Sequence, residues 1–153
     1  ATWGTRIGAE IMGRHKFDPS DGPWPDDGWI GWWGVNPPFH TPCYVLTHYP
    51  HPSIELEEGN TFHFIEGTPA EVVARVRADI GDELDIRLGG GVATIREFVR
   101  AGVVDWLHLL VVPIVLGRGE RIWDGLEGLQ ADYDVESVST PSGITHVTFT
   151  KHA

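Results

Sequence analysis

"DIRLGGGVATIREF", residues 85–98, is a short apolar run that opens into three consecutive glycines and resumes at helical spacing. The four residues "DIRL" read as a strand, and Val92, Ile95, Phe98 and Val99 form the apolar face of a helix ending near Gly102. Glycines at such a junction serve one of two ends. They allow a tight turn where helix and strand pack closely, or they let backbone approach a ligand while the amides opening the helix attract an anion. The dinucleotide fingerprint G-x-G-x-x-G is not met: Gly89 and Gly91 fit, but the third position is Thr94, and residues 109–115, "LLVVPIV", hold no carboxylate to meet a ribose. No Gly-Lys-Ser/Thr follows, so the phosphate-loop pattern fails as well.

The flanking sequence places this junction in an alternating architecture. Residues 7–12 read as a strand running into Gly13, Arg14, His15 and Lys16, which puts cationic side chains at a second strand end. "CYVLTH" (43–48) and "TFHFIE" (61–66) are rich in β-branched and aromatic residues and read as strands, the first ending in Thr47 and His48. In "TPAEVVARVRADIG" (68–81), Val73, Val76 and Ile80 recur at helical spacing, Thr68 supplies an N-cap and Pro69 occupies the first helical position. "DWLHLLVVPIVLG" (105–117) predicts a strand covered on both faces, and residues 133–152 predict two strands joined by a Pro-Ser-Gly turn. Together these predict an α/β fold with a mostly parallel sheet, flanked by helices and carrying a C-terminal antiparallel hairpin. Parallel strands bring their C-terminal ends together, so the three strand ends converge on one crevice.

Composition limits what the crevice serves. The 153 residues suffice for one sizeable core and predict a single domain over 1–153. Eleven Lys and Arg against 22 Asp and Glu give a formal charge of −11, which repels rather than neutralises a nucleic-acid backbone. No apolar stretch reaches the about 18 residues of a membrane span. The single cysteine, Cys43, cannot form an internal disulfide and fits a reducing, cytoplasmic setting. It lies at a strand start with no evident base and reads as a packed residue rather than a nucleophile. His40, His48, His51, His63, His108 and His146 lack a carboxylate or cysteine partner at ligand spacing, so no metal is expected. Asp26 and Asp27 read as solvated turn residues. Residues 17–42, dense in Pro, Gly and Asp, carry Trp24, Trp29, Trp32 and Trp33, which reads as a pocket wall for a flat substrate or a subunit contact.

The strand ends "MGRH", "LTH" and "LGGGVATIREF", in this order and followed by "LHLLVVPIVLGRGERIWDG", resemble the dihydrofolate reductase superfamily. The resemblance is closer to its branch similar to the riboflavin-biosynthesis reductase C-terminal domain, and it covers most of residues 8–150. It implies an NADPH-dependent reductase acting on a small planar or carbonyl-containing substrate, akin to a pterin or a flavin precursor. It further implies that Gly89, Gly90 and Gly91, with a cis Gly-Gly peptide, meet the cofactor pyrophosphate beside Ala93, Thr94 and Ile95. Gly13, Arg14 and His15 would lie along the phosphates, with Lys16 standing where the family has threonine. Thr47 and His48 would face the 2′-phosphate, and Arg14 would be the stronger anchor because a guanidinium pairs bidentately with phosphate. Substrate contacts would fall to Trp24, Trp29, Trp32 and Trp33. The family's first strand, nicotinamide loop and acid-bearing helix would precede residue 1 by a segment of roughly 30–50 residues, and the catalytic proton donor would lie there. The resemblance also implies a homodimer. The competing reading is a non-catalytic nucleotide-binding or interaction protein that keeps the cleft.

Overall fold

The computed structural model describes residues 6–57 and 59–153, and the expected single domain extends to residues 1–5 and 58, which lie outside these. Chain order begins with β1 (Ile7–Gly13), α1 (Arg14–Phe17), β2 (Cys43–Leu46), β3 (Ile54–Glu55) and β4 (Thr61–Ile65). It continues with α2 (Pro69–Ile80), β5 (Asp85–Leu88), α3 (Val92–Arg100), β6 (Trp106–Val111), β7 (Tyr133–Ser139) and β8 (Thr145–Lys151).

Two sheets form among the described residues. The central one has the order β3-β4-β2-β1-β5, with β1 parallel to β2 and β5, β2 parallel to β4, and the short β3 antiparallel at the edge. The predicted hairpin, β7 and β8, does not close the edge of this sheet. It pairs with β6 in a separate three-stranded antiparallel sheet of order β6-β8-β7. This is the dihydrofolate-reductase-like α/β arrangement expected from the sequence, divided between two sheets.

The two longer helices, α2 and α3, cover one face of the central sheet. Val72 and Val76 of α2 and Phe98 of α3 pack with Ala9, Ile11 and Tyr44 in one buried cluster. The helix begins as Thr68 predicts, with a reciprocal capping box between Thr68 and Glu71, although Val72 rather than Val73 is the buried position. On the opposite face Met12, Phe17, Cys43, Val45 and Phe62 form a second cluster, covered by Trp24, Trp29, Trp33 and Phe39 of the irregular segment 17–42.

The apolar run 105–117 departs from expectation. The strand ends at Val111, and Leu110, Val111, Val112, Ile114, Val115 and Leu116 are exposed, Val115 by 98%. Pro113 has no N–H to continue a ladder, and among the described residues β6 is an edge strand with β8 on one side only, so no described strand covers the run.

Candidate functional site

The glycine turn is joined to the end of β1 by backbone alone. Gly89 N donates to Ile11 O at 2.7 Å, and Gly13 N donates to Gly90 O at 3.0 Å. The Gly90–Gly91 peptide is cis, and Gly90 has a φ of +85°, a conformation that favours glycine. Any side chain at Gly13 would collide with Thr94 Oγ1, so the missing Cβ lets the first turn of α3 close on the strand. Thr47 N donates to Ile65 O at 3.0 Å, bringing the ends of β2 and β4 alongside.

A cleft of about 330 Å³ opens where these ends meet, within the size range of small-molecule sites. Its walls are Gly13, Arg14 and His15 after β1, Leu46 to Tyr49 after β2, Ile65 to Gly67 after β4, and Thr94, Glu97 and Phe98 of α3, with Asp21 and Gly22 at the mouth. Six of the residues singled out in the sequence, Gly13, Arg14, His15, Thr47, His48 and Thr94, therefore share one cleft. Gly89, Gly90, Gly91, Ala93 and Ile95 build the adjoining turn and the start of α3 rather than the cleft wall itself.

Charge within the cleft is distributed unevenly. His15 Nε2 lies 2.8 Å from Asp21 Oδ1, and His48 Nδ1 lies 2.8 Å from Glu66 Oε1, so each exposed imidazole has a carboxylate beside it. Arg14 has none. Its Nη1 donates to Gly22 O, its Nη2 donates to Ser20 Oγ at 3.1 Å, and its guanidinium lies 4.0 Å from the Trp24 ring centre. Its Nε is buried without an acceptor. In a chain carrying 22 Asp and Glu, a part-buried guanidinium held only by neutral oxygens and aromatic faces retains its charge for an anion. Thr47 is buried, and its hydroxyl accepts from Tyr49 N at 3.0 Å.

Lys16 turns away from the cleft. Successive helical residues rotate by about 100°, so Arg14 and His15 face the cleft while Lys16 and Phe17 swing beneath the sheet. There the Lys16 ammonium lies against Gly89 and 5.7 Å from the Phe39 ring centre, close to the fully buried Glu10. Glu10 Oε1 accepts from Arg87 Nε, whereas Oε2 has no hydrogen-bond partner among the described residues. Burial raises the Glu10 carboxyl above its ordinary value, opposed by Arg87 and Lys16, and burial lowers Lys16. Burial also pushes the neighbouring Cys43 thiol to about 12, which leaves it a packed thiol at neutral pH.

The four tryptophans divide between roles. Trp24, Trp29 and Trp33 pack on the second core cluster, and Trp32 alone is largely exposed, edge-on to Trp29 with ring centres 5.0 Å apart. None of the four lines the cleft. Sequence reasoning missed Asp21, Tyr49, Glu66 and Glu97. Applying the strand-end rule to "TFHFIEG" as well would have found Glu66, because Leu46 and Ile65 are register partners and the next residues emerge together. The remaining histidines make local contacts, such as His63 with Ser53 Oγ at 3.0 Å and His108 with His146 at 3.0 Å.

Known proteins place the fold. Over 97% of its length the chain superposes on 76% of a candidate riboflavin biosynthesis protein from Shewanella sp. PV-4, at 18% identity and a TM-score of 0.67. It is also similar, over 75% of its length, to 51% of a pyrimidine reductase-like protein from Corynebacterium diphtheriae NCTC, at 16% identity and a TM-score of 0.47. No curated protein sequence matches the chain. Residues 40–149 match the sequence model of the RibD C-terminal domain, and the chain belongs to that family.

Proposed function

We propose that the protein is a reductase that binds a nicotinamide dinucleotide, preferentially NADPH, in the cleft at the strand ends. The observation that carries this reading is Arg14, a part-buried guanidinium without a carboxylate partner among the described residues, set near a glycine turn in which Gly91 leaves open space before α3. Membership of the RibD C-terminal domain family supports a reductase role.

The residues present fit such a cofactor. Gly13 and Thr94 form a close floor, Gly90 and Gly91 bring bare backbone to the start of α3, and the first amides of that helix lack intrahelical acceptors. Arg14, with Thr47 and His48 across the cleft, would hold the phosphates, including that at the 2′ position. When bound, the cofactor supplies a hydride for a small planar or carbonyl-containing substrate. The protein holds the dinucleotide in register with the sheet, and the aromatic layer of residues 17–42 keeps water from the face beneath it.

The free, buried thiol of Cys43 supports a cytoplasmic setting. A second copy of the chain is the proposed partner, because Leu110, Val111, Val112, Ile114, Val115 and Leu116 leave a run of large apolar side chains exposed. Val115→Glu should then shift the protein from dimer to monomer in sedimentation velocity; a wild-type monomer at micromolar concentration refutes the dimer.

Titration with NADPH and NADH, followed by tryptophan fluorescence and cofactor emission, tests the main reading. Arg14→Ala should weaken NADPH far more than NADH, and equal weakening refutes the 2′-phosphate role. Absence of NADPH binding by the folded protein removes the cofactor. Binding without turnover over flavin precursors, pterins and carbonyl compounds favours the non-catalytic alternative.

A further inference from the structure

The side-chain hydrogen bonds that hold residues 20–24 come almost entirely from the cleft wall. Arg14 reaches Gly22 O and Ser20 Oγ, His15 reaches Asp21, and Trp24 Nε1 donates to the Tyr49 carbonyl at 2.7 Å. Asp18 Oδ1 adds a local turn by accepting from Ser20 N at 2.6 Å. The Arg14 guanidinium lies between the Trp24 ring at 4.0 Å and the Tyr49 ring at 5.6 Å. A guanidinium carries five N–H donors in a rigid fork, and the segment uses one on each terminal nitrogen. The second N–H on each terminal nitrogen remains for an oxyanion, while Nε–H is buried without an acceptor.

We propose that Arg14 is a positioning residue that bridges a phosphate of the bound dinucleotide to the aromatic segment, so that filling the cleft orders residues 20–24. The inference rests on the dinucleotide reading above and adds a role to it: the cofactor site and the tryptophan layer act as one unit. Trp24 transmits the effect, since its ring contacts Arg14 on one side and packs on Phe64 on the other, with ring centres 4.9 Å apart. The coupling is reciprocal, so an intact segment also favours a filled cleft. Lysine cannot replace this bridge, because a single ammonium offers no planar fork and no stacking face.

Backbone hydrogen exchange on the full chain tests the bridge. Saturating NADPH should slow exchange of the amides in 20–24 by about tenfold, the effect expected when a charged hydrogen bond becomes fixed. Arg14→Lys, brought to saturation at whatever higher NADPH concentration calorimetry requires, should lose most of that protection. Ser20→Ala, which removes one acceptor outside the cleft, should show an intermediate value, and it decides the matter if Arg14→Lys does not fold. Equal protection in wild type and variants, or no protection in wild type with NADPH bound, overturns the proposal. If calorimetry shows no NADPH binding, the dinucleotide reading falls, and inorganic pyrophosphate becomes the probe. Pyrophosphate that binds and slows exchange at 20–24 sustains the bridge, and pyrophosphate that does not bind or leaves the segment unchanged removes it.

Discussion

The two faces of the central sheet are covered by different means. On one face, α2 and α3 satisfy their own backbone groups and lay down Val72, Val76 and Phe98, so the layer is regular and its contacts mainly aliphatic. On the other, a segment rich in Pro and Gly cannot form a helix, and its rings do the covering. Side chains also do work that a helix does with its backbone. Trp29 Nε1 donates to Phe17 O at 2.7 Å, Asp27 Oδ1 accepts from Trp29 N at 3.0 Å, and Asn60 Oδ1 accepts from His40 N at 3.0 Å. A tryptophan-rich irregular segment thus serves as a core layer, while its hydrogen bonds tie it to the strand ends where the cleft opens.

The comparison predicts unequal sensitivity to substitution. Phe17 is buried and meets Phe62, Phe64 and Trp24, so Phe17→Ala should cost about 3–5 kcal/mol in urea unfolding. A cost under about 1 kcal/mol would mean that the aromatic segment is a loose cover and not a core layer. On the helical face, Val76→Ala should cost about 2 kcal/mol, since two methyl groups leave a fully buried site. Trp29→Phe keeps a ring but strips the Phe17 carbonyl of its donor, and about 1 kcal/mol is expected. If it instead matched Phe17→Ala, the hydrogen bond would outweigh the packing on this face.

The smallest effect is a slope rather than a step. Burial raises the folded Glu10 carboxyl, so the native state binds that proton more tightly than the unfolded chain. Its contribution is fully present below the unfolded value of 4.5 and is lost as pH rises through the folded one. Lys16, lowered by burial, acts in the opposite direction: stability increases with pH between its folded value and the unfolded 10.5. Glu10→Gln should therefore flatten the acidic part of the stability profile, and an unchanged profile by chemical denaturation would show that Glu10 does not titrate in that range.

Much of the cleft was legible because local rules govern it. Glycines after a strand, a Thr-Pro helix start, and Arg-His directly after Met12-Gly13 each announce their backbone within a few residues. Lys16 shows the limit of that legibility. It adjoins two cleft residues in sequence, yet the helical turn carries it beneath the sheet to Glu10, a polar residue in the middle of a buried strand whose partners, Arg87 and Lys16, are distant or oppositely directed in the chain. The exposed run 110–116 failed for a related reason. Hydrophobicity states that a segment is suited to burial, but only strand pairing states whether another part of the same chain reaches it.

By itself, the sequence determined the order of the longer strands and helices but not the short β3, together with the Thr68 cap, the glycine turn and the convergence of parallel strand ends, because periodicity and backbone freedom act over short distances. The tertiary structure decided which wall each side chain joined. It gave the tryptophans to the core, the Arg14 guanidinium to both the cleft and the segment above it, and Glu66 to His48, because those outcomes depend on register and rotation between elements remote in the chain.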